Sequence, residues 1–249
     1  MVQVVEGAQA WSHDGGEVGV LVLHGFTGNP VSMRPLAQAM ADAGHSVELP
    51  RLPGHGTTWQ DCNTTTWRDW AREAVAGFER LRSRTRAQVV TGLSMGAALA
   101  LWLAQTRGDD LAGAAVVNPS IWSGNKQLKA VPVLKWVVPS LPGLGNDIAL
   151  AGADEKPYAR NPLKALASVV DLQRTVRRGL GAIDIPLLVL TSRQDHVVEP
   201  ENSSRVMHGV SSTDKRQVWL ERSYHVATLD HDAALIQSEV ADFVARVTA

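Results

Sequence analysis

The chain has 249 residues, of which 45% are hydrophobic and 20% charged, and a formal net charge of −1. That length fits one large α/β domain with an insertion more readily than two independent domains. The balanced charge gives no electrostatic argument for nucleic acid or an anionic membrane, and a single cysteine, Cys62, excludes an intrachain disulfide or a cysteine-based metal site.

Met1 to Ala8 lack the basic start and continuous apolar stretch of a signal peptide, and no run of eighteen apolar residues occurs. The expectation is a cytoplasmic protein, monomer or homodimer. In chain order, residues 3–12 hold a short edge strand. Val18, Val20, Leu21, Val22 and Leu23 then form a near-continuous apolar run, the pattern of a strand buried on both faces of a parallel sheet. It ends in His24-Gly25-Phe26-Thr27-Gly28-Asn29-Pro30, a glycine-rich loop that feeds a helix over 32–43, stopped by Gly44. A strand over 45–49 runs into Pro50-Arg51-Leu52-Pro53-Gly54-His55-Gly56, which only a loop accommodates. Over 66–82, Trp67, Trp70, Ala71, Ala74, Val75, Phe78 and Leu81 recur at helical spacing and predict an amphipathic helix with both indoles in the core.

The run from Gln88 to Ala100 reads strand, sharp turn, helix, with Ser94 at the apex between Gly92 and Gly96. A buried strand over 111–118 follows, and after Pro119 the alternation stops: prolines 132, 139, 142, 157 and 162 interrupt residues 120–182. Regular order returns with a strand over 185–192, the turn Arg193-Gln194-Asp195-His196-Val197-Val198, a helix over 201–209, a strand over 216–220, the loop Glu221-Arg222-Ser223-Tyr224-His225 and a helix over 233–247. Alternating strands and helices with buried-strand composition predict an α/β fold built on a mostly parallel, doubly wound sheet. Residues 1–119 and 183–249 form its core, with 120–182 inserted as a small cap.

Gly-x-Ser-x-Gly is a loose pattern; the strand-turn-helix context makes it a candidate nucleophile elbow, with Ser94 at a helix N-terminus. A serine hydroxyl needs a general base, and the base needs an acid to hold its tautomer. Loops at the C-terminal ends of parallel strands share one face, so the partners belong in such loops. Asp195 follows one strand and His225 the last, in the order the elbow requires. Asp195 is equally readable as a turn former or helix cap, and His13, His24, His45, His55, His196, His208 and His231 compete with His225, which alone combines the chain order with a strand-end loop. A tetrahedral oxyanion needs two amide donors; the N–H of Met95 follows the nucleophile, and Phe26, beside Gly25, can supply the other.

With these landmarks in order, the chain resembles an α/β-hydrolase, and more narrowly the small bacterial carboxylesterases and monoacylglycerol lipases. The resemblance implies a triad of Ser94, Asp195 and His225, oxyanion donors Phe26 and Met95, no metal or organic cofactor, and a small acyl ester as the partner. It implies no nucleic acid and no stable membrane insertion; the cap is the segment that could touch lipid transiently. Substrate-binding candidates are Glu155, His24, Ile148 and Val198. By resemblance Glu155 meets glycerol hydroxyls; as a residue it reads more simply as a solvated surface acid. Val131, Leu134, Val137, Val138, Leu141, Leu144 and Ile148 suit an acyl chain or, equally, a cap core without ligand contact. The expected reaction is hydrolysis of single-chain esters, monoacylglycerol first among them. A thioester, lactone or carbon–carbon bond as electrophile, or a non-catalytic receptor, are the alternatives.

Overall fold

The computed structural model describes residues 2–125, 128, 130–143 and 145–249, so Leu144 lies outside the described residues. The elements in order are β1 (Trp11–His13), β2 (Val18–Leu23), α1 (Arg34–Asp42), β3 (Ser46–Leu49), α2 (Trp59–Cys62), α3 (Trp67–Arg82), β4 (Ala87–Leu93), α4 (Met95–Arg107), β5 (Gly113–Val117), α5 (Val131–Leu134), β6 (Ser140–Pro142), β7 (Arg160–Pro162), α6 (Leu163–Gly179), β8 (Leu187–Ser192), α7 (Glu201–Gly209), β9 (Lys215–Leu220) and α8 (Ala233–Val247).

Seven strands form one sheet in the order β1-β3-β2-β4-β5-β8-β9. All pairings are parallel except the edge strand β1, which runs antiparallel to β3 with Trp11 opposite Leu49. The period of two along each strand sends alternate side chains to opposite faces. Leu21, Leu23, Val90, Val116 and Val189 join one buried cluster with α3, α4 and α6, whereas Val20, Val22, Val89, Val117 and Leu190 join the other with α1 and α8. Helices on both faces explain why the strands read as unbroken apolar runs.

The register aligns Leu23 with Gly92, Leu93 with Val117, and Ser192 with Leu220, so the loops leaving β2, β4, β8 and β9 emerge at one edge. Because β3 pairs on one side of β2 and β4 on the other, the chain reverses direction across the sheet at β2, the switch point where open α/β sheets form their ligand crevice. Within α3, the Thr66 backbone N–H donates to Asp69 Oδ2 at 2.8 Å in a capping box. Trp70 and Phe78 are fully buried and Trp67 nearly so.

The stretch expected to be irregular contains the 17-residue helix α6. Its buried face carries Ala165, Ala167, Ser168 and Gln173 beside Leu163, Val169, Leu172 and Val176, and these small and polar residues blur the apolar period. Leu172 and Val176 belong to the same core cluster as α3 and α4. Val131, Leu163 and Ala167 form a small separate cluster with Leu128, Leu134, Val138 and Leu166 packed against it.

Candidate active site

Ser94 is the N-cap of α4 with φ 58° and ψ −116°, a strained conformation for a residue with a side chain. The turn closes only because its neighbours are glycine: a Cβ at Gly92 would strike the Gly96 backbone, and one at Gly96 the carbonyls of Leu23 and His24. Backbone bonds fix it further, from Ser94 N–H to Val117 O at 2.9 Å and from Ser120 N–H to Ser94 O at 3.2 Å.

His225 lies against it. Its Nε2 is 2.9 Å from Ser94 Oγ and its Nδ1 is 2.7 Å from Asp195 Oδ2. Asp195 can only accept, so Nδ1–H donates to it and Nε2 is left to accept the serine hydroxyl, the tautomer a general base needs. Asp195 Oδ1 accepts from Val197 N–H at 2.8 Å and Val198 N–H at 2.7 Å, so one carboxylate both shapes its turn and faces the imidazole. Burial pushes the His225 pKa down, but the carboxylates of Asp195, Glu155 and Asp147 together push it further up, and the net shift is upward.

Gly25 brings the loop after β2 against the nucleophile; a Cβ there would sit 3.4 Å from Ser94 Cβ and 3.5 Å from Leu93 O. Phe26 and Met95 follow the two contacting residues, and Met95, first in α4, has no intrahelical acceptor for its N–H. Both residues line a cavity of about 200 Å³ shared with Ser94, His225, Glu155 and Val198. Leu128, Leu166 and Val169 contribute to its apolar wall.

Two sequence expectations are corrected here. His24 does not line the cavity: it is fully buried, its Nε2 accepts from Leu52 N–H at 3.1 Å and its Nδ1 lies 3.0 Å from Gly25 O. Burial and the nearby His55 ring lower its pKa to about 3, so it is a neutral strut beneath the loop. Ile148 packs against the α1–α8 side of the core rather than into the cavity. Of the residues read equally as an acyl-chain wall or a core without ligand contact, Val131, Leu134 and Val138 join one small apolar cluster with Leu163 and Ala167, while Val137 is 79% and Leu141 40% exposed.

Glu155 is not a surface acid. It is 8% exposed, lines the cavity, accepts from Asn146 N–H at 3.2 Å, and burial raises its pKa. Two polar residues escaped the sequence reading. Asn118 sits at the end of β5 with φ 45° and ties β8 to the His225 loop; a polar residue closing a buried strand was its only signal. Asp147 contacts the same loop from the insertion, where no periodicity marks it. Among the described residues, no three His, Cys, Asp or Glu side chains gather as a metal site, and no helix is long and apolar enough to cross a membrane.

Residues 17–232 match the Hydrolase_4 family model, described as serine aminopeptidase S33. A thermostable monoacylglycerol lipase from Bacillus sp. strain H-257 is 39% identical over 248 residues, 98% of this chain and 96% of that one. A carboxylesterase from Bacillus subtilis strain 168 is 27% identical over 234 residues, 94% of each chain. A solved structure of a metagenome-derived lipolytic enzyme superposes with a TM-score of 0.96 at 39% identity, covering 98% of this chain and all of that one. The monoacylglycerol lipase of Paleococcus ferrophilus shares the fold, with a TM-score of 0.81 at 19% identity over 96% and 98% of the two chains.

Proposed function

This chain belongs to the serine aminopeptidase S33 family and carries the α/β-hydrolase fold, and from that premise we propose that it hydrolyses monoacylglycerol to glycerol and fatty acid through an acyl-enzyme on Ser94. The enzyme is a serine-type carboxylic ester hydrolase. The observation that carries the reading is the unbroken relay Asp195–His225–Ser94, at 2.7 and 2.9 Å, opening into a cavity that the loop after β2 also lines.

In this mechanism His225 Nε2 takes the Ser94 proton as Oγ attacks the ester carbonyl. The oxyanion forms between the amides of Phe26 and Met95, where each donor is worth roughly 3 to 4 kcal/mol. Collapse of the tetrahedral species expels the alcohol, protonated by His225. A water then gives a proton to His225 as it attacks the acyl group, releasing the acid and restoring Ser94.

Residues 120–182 act as the cap in this reading, with Leu128, Leu166 and Val169 supporting the acyl chain and Glu155 the glycerol hydroxyls. A transient lipid contact through the cap is supported by Val133, Trp136 and Val137, which are 74%, 75% and 79% exposed, and by the ammonium groups of Lys135 and Lys164 over the Trp136 ring. The test compares 1-monoacylglycerol with di- and triacylglycerol and an aminoacyl p-nitroanilide, each against a Ser94→Ala control. Turnover confined to the monoacyl ester is expected. Equal rates on all three glycerides would remove the cap's selectivity from the reading, and preference for the anilide would replace esterase with peptidase.

A further inference from the structure

Asp147 lies in the insertion yet spends its carboxylate on both loops of the relay. Its Oδ2 accepts the backbone N–H of His225 at 3.0 Å and that of His196 at 3.2 Å, and its Oδ1 sits 2.8 Å from His196 Nδ1. Its own carbonyl accepts the N–H of Val226 at 3.0 Å. The side chain is 17% exposed, and the His196 ring closes over that side, edge-on to Tyr224 with centroids 4.5 Å apart. Three residues on, the same irregular segment is pinned to the same loop again: Asp230 accepts from Leu150 N–H at 2.9 Å and Tyr224 N–H at 2.9 Å.

A backbone amide and a turn that belong to different strands have no covalent reason to keep a fixed separation; a shared acceptor supplies one. The geometry points to Asp147 as a positioning residue, contributed by the insertion, that sets the His225 main chain against the Asp195 turn and holds a negative charge beside the imidazole. The assignment rests on the triad reading above. Charged to neutral, the effect has a definite sign. His225 faces Ser94 and the carboxylates of Asp195, Glu155 and Asp147, and the charges favour imidazolium over imidazole. Removing one of them makes the free base persist to lower pH.

Two variants separate tether from charge. Asp147→Ala removes every side-chain contact and leaves the backbone bond to Val226, whereas Asp147→Asn keeps one acceptor oxygen and loses the charge. With p-nitrophenyl butyrate as substrate, Asp147→Ala is expected to lower kcat roughly tenfold with KM little changed, as a small displacement of a base does. Asp147→Asn lowers kcat less. In both variants the acid limb of kcat/KM against pH moves to lower pH by a similar amount. Wild-type kcat and an unmoved limb in Asp147→Ala would overturn the assignment. So would a loss of kcat that follows thermal unfolding with the limb unmoved in both variants, which is what a merely structural residue gives. Retention of turnover by Ser94→Ala and His225→Ala would instead sink the triad reading, so the two failures are distinguishable.

Discussion

Asn118 Nδ2 donates to the carbonyl of His225 at 2.8 Å and to Ser192 Oγ at 2.9 Å, while its Oδ1 accepts from Ser192 N–H at 2.7 Å. One buried amide thus binds the end of β5 to the end of β8 and to the loop that carries the base. Asn118→Ala should cost about 1 to 3 kcal/mol in urea unfolding, because it strands a buried N–H and carbonyl and puts alanine at a positive φ. Asn118→Asp should lower kcat more, since a carboxylate would face the His225 carbonyl.

The strained turn predicts opposite effects on stability and activity. Ser94→Gly relieves the φ of 58° and should stabilise the fold by about 1 kcal/mol while abolishing turnover. Ser94→Ala and His225→Ala should each reduce kcat by roughly 10⁴-fold or more, and Asp195→Asn by about 10⁴-fold, with circular dichroism unchanged. A loss of folded protein matching the loss of activity would argue for structural roles.

Glu155 should report on both ends of the reaction. Glu155→Ala is expected to reduce monoacylglycerol turnover more than p-nitrophenyl ester turnover; equal losses would contradict glycerol recognition. Its pKa is raised by burial, so its protonated form is the one the fold favours. That contribution is present below the unfolded carboxylate range and is lost as pH rises through the folded pKa. Glu155→Gln should therefore gain stability relative to the native protein as pH is raised from 4 to 7 in parallel urea titrations.

The exposed Val133, Trp136 and Val137 of the proposed cap predict a dependence on the physical state of the substrate. Trp136→Ser and Val137→Ser should slow hydrolysis of emulsified long-chain monoacylglycerol severalfold and leave a water-soluble short-chain ester unaffected. Equal effects on both substrates would place these residues in the machinery of the reaction instead of at a lipid contact.

The alternation of apolar runs with amphipathic stretches was sufficient for the sheet and its helices, because burial on two faces leaves a composition no other arrangement needs. The helix over 201–209 and the one over 233–247 match α7 and α8 end to end. Helix α6 escaped because alanine, serine and glutamine on its buried face carry little hydrophobic contrast. The turn α2 escaped because a single turn capped by Thr58 has no period to read.

What the chain itself determined was the fold, the glycine-bracketed Ser94, and the two strand-end loops that could supply an acid and a base, since local backbone demands and the periodicity of burial are written in neighbouring residues. Only the tertiary structure decided that Asp195 and His225 meet Ser94, that Glu155 turns inward, that His24 and Ile148 turn away from the cavity, and that Asp147 and Asn118 grip the same loop. Those outcomes depend on distances between residues far apart in the chain, which are fixed by sheet register and loop path and leave no mark on the local sequence.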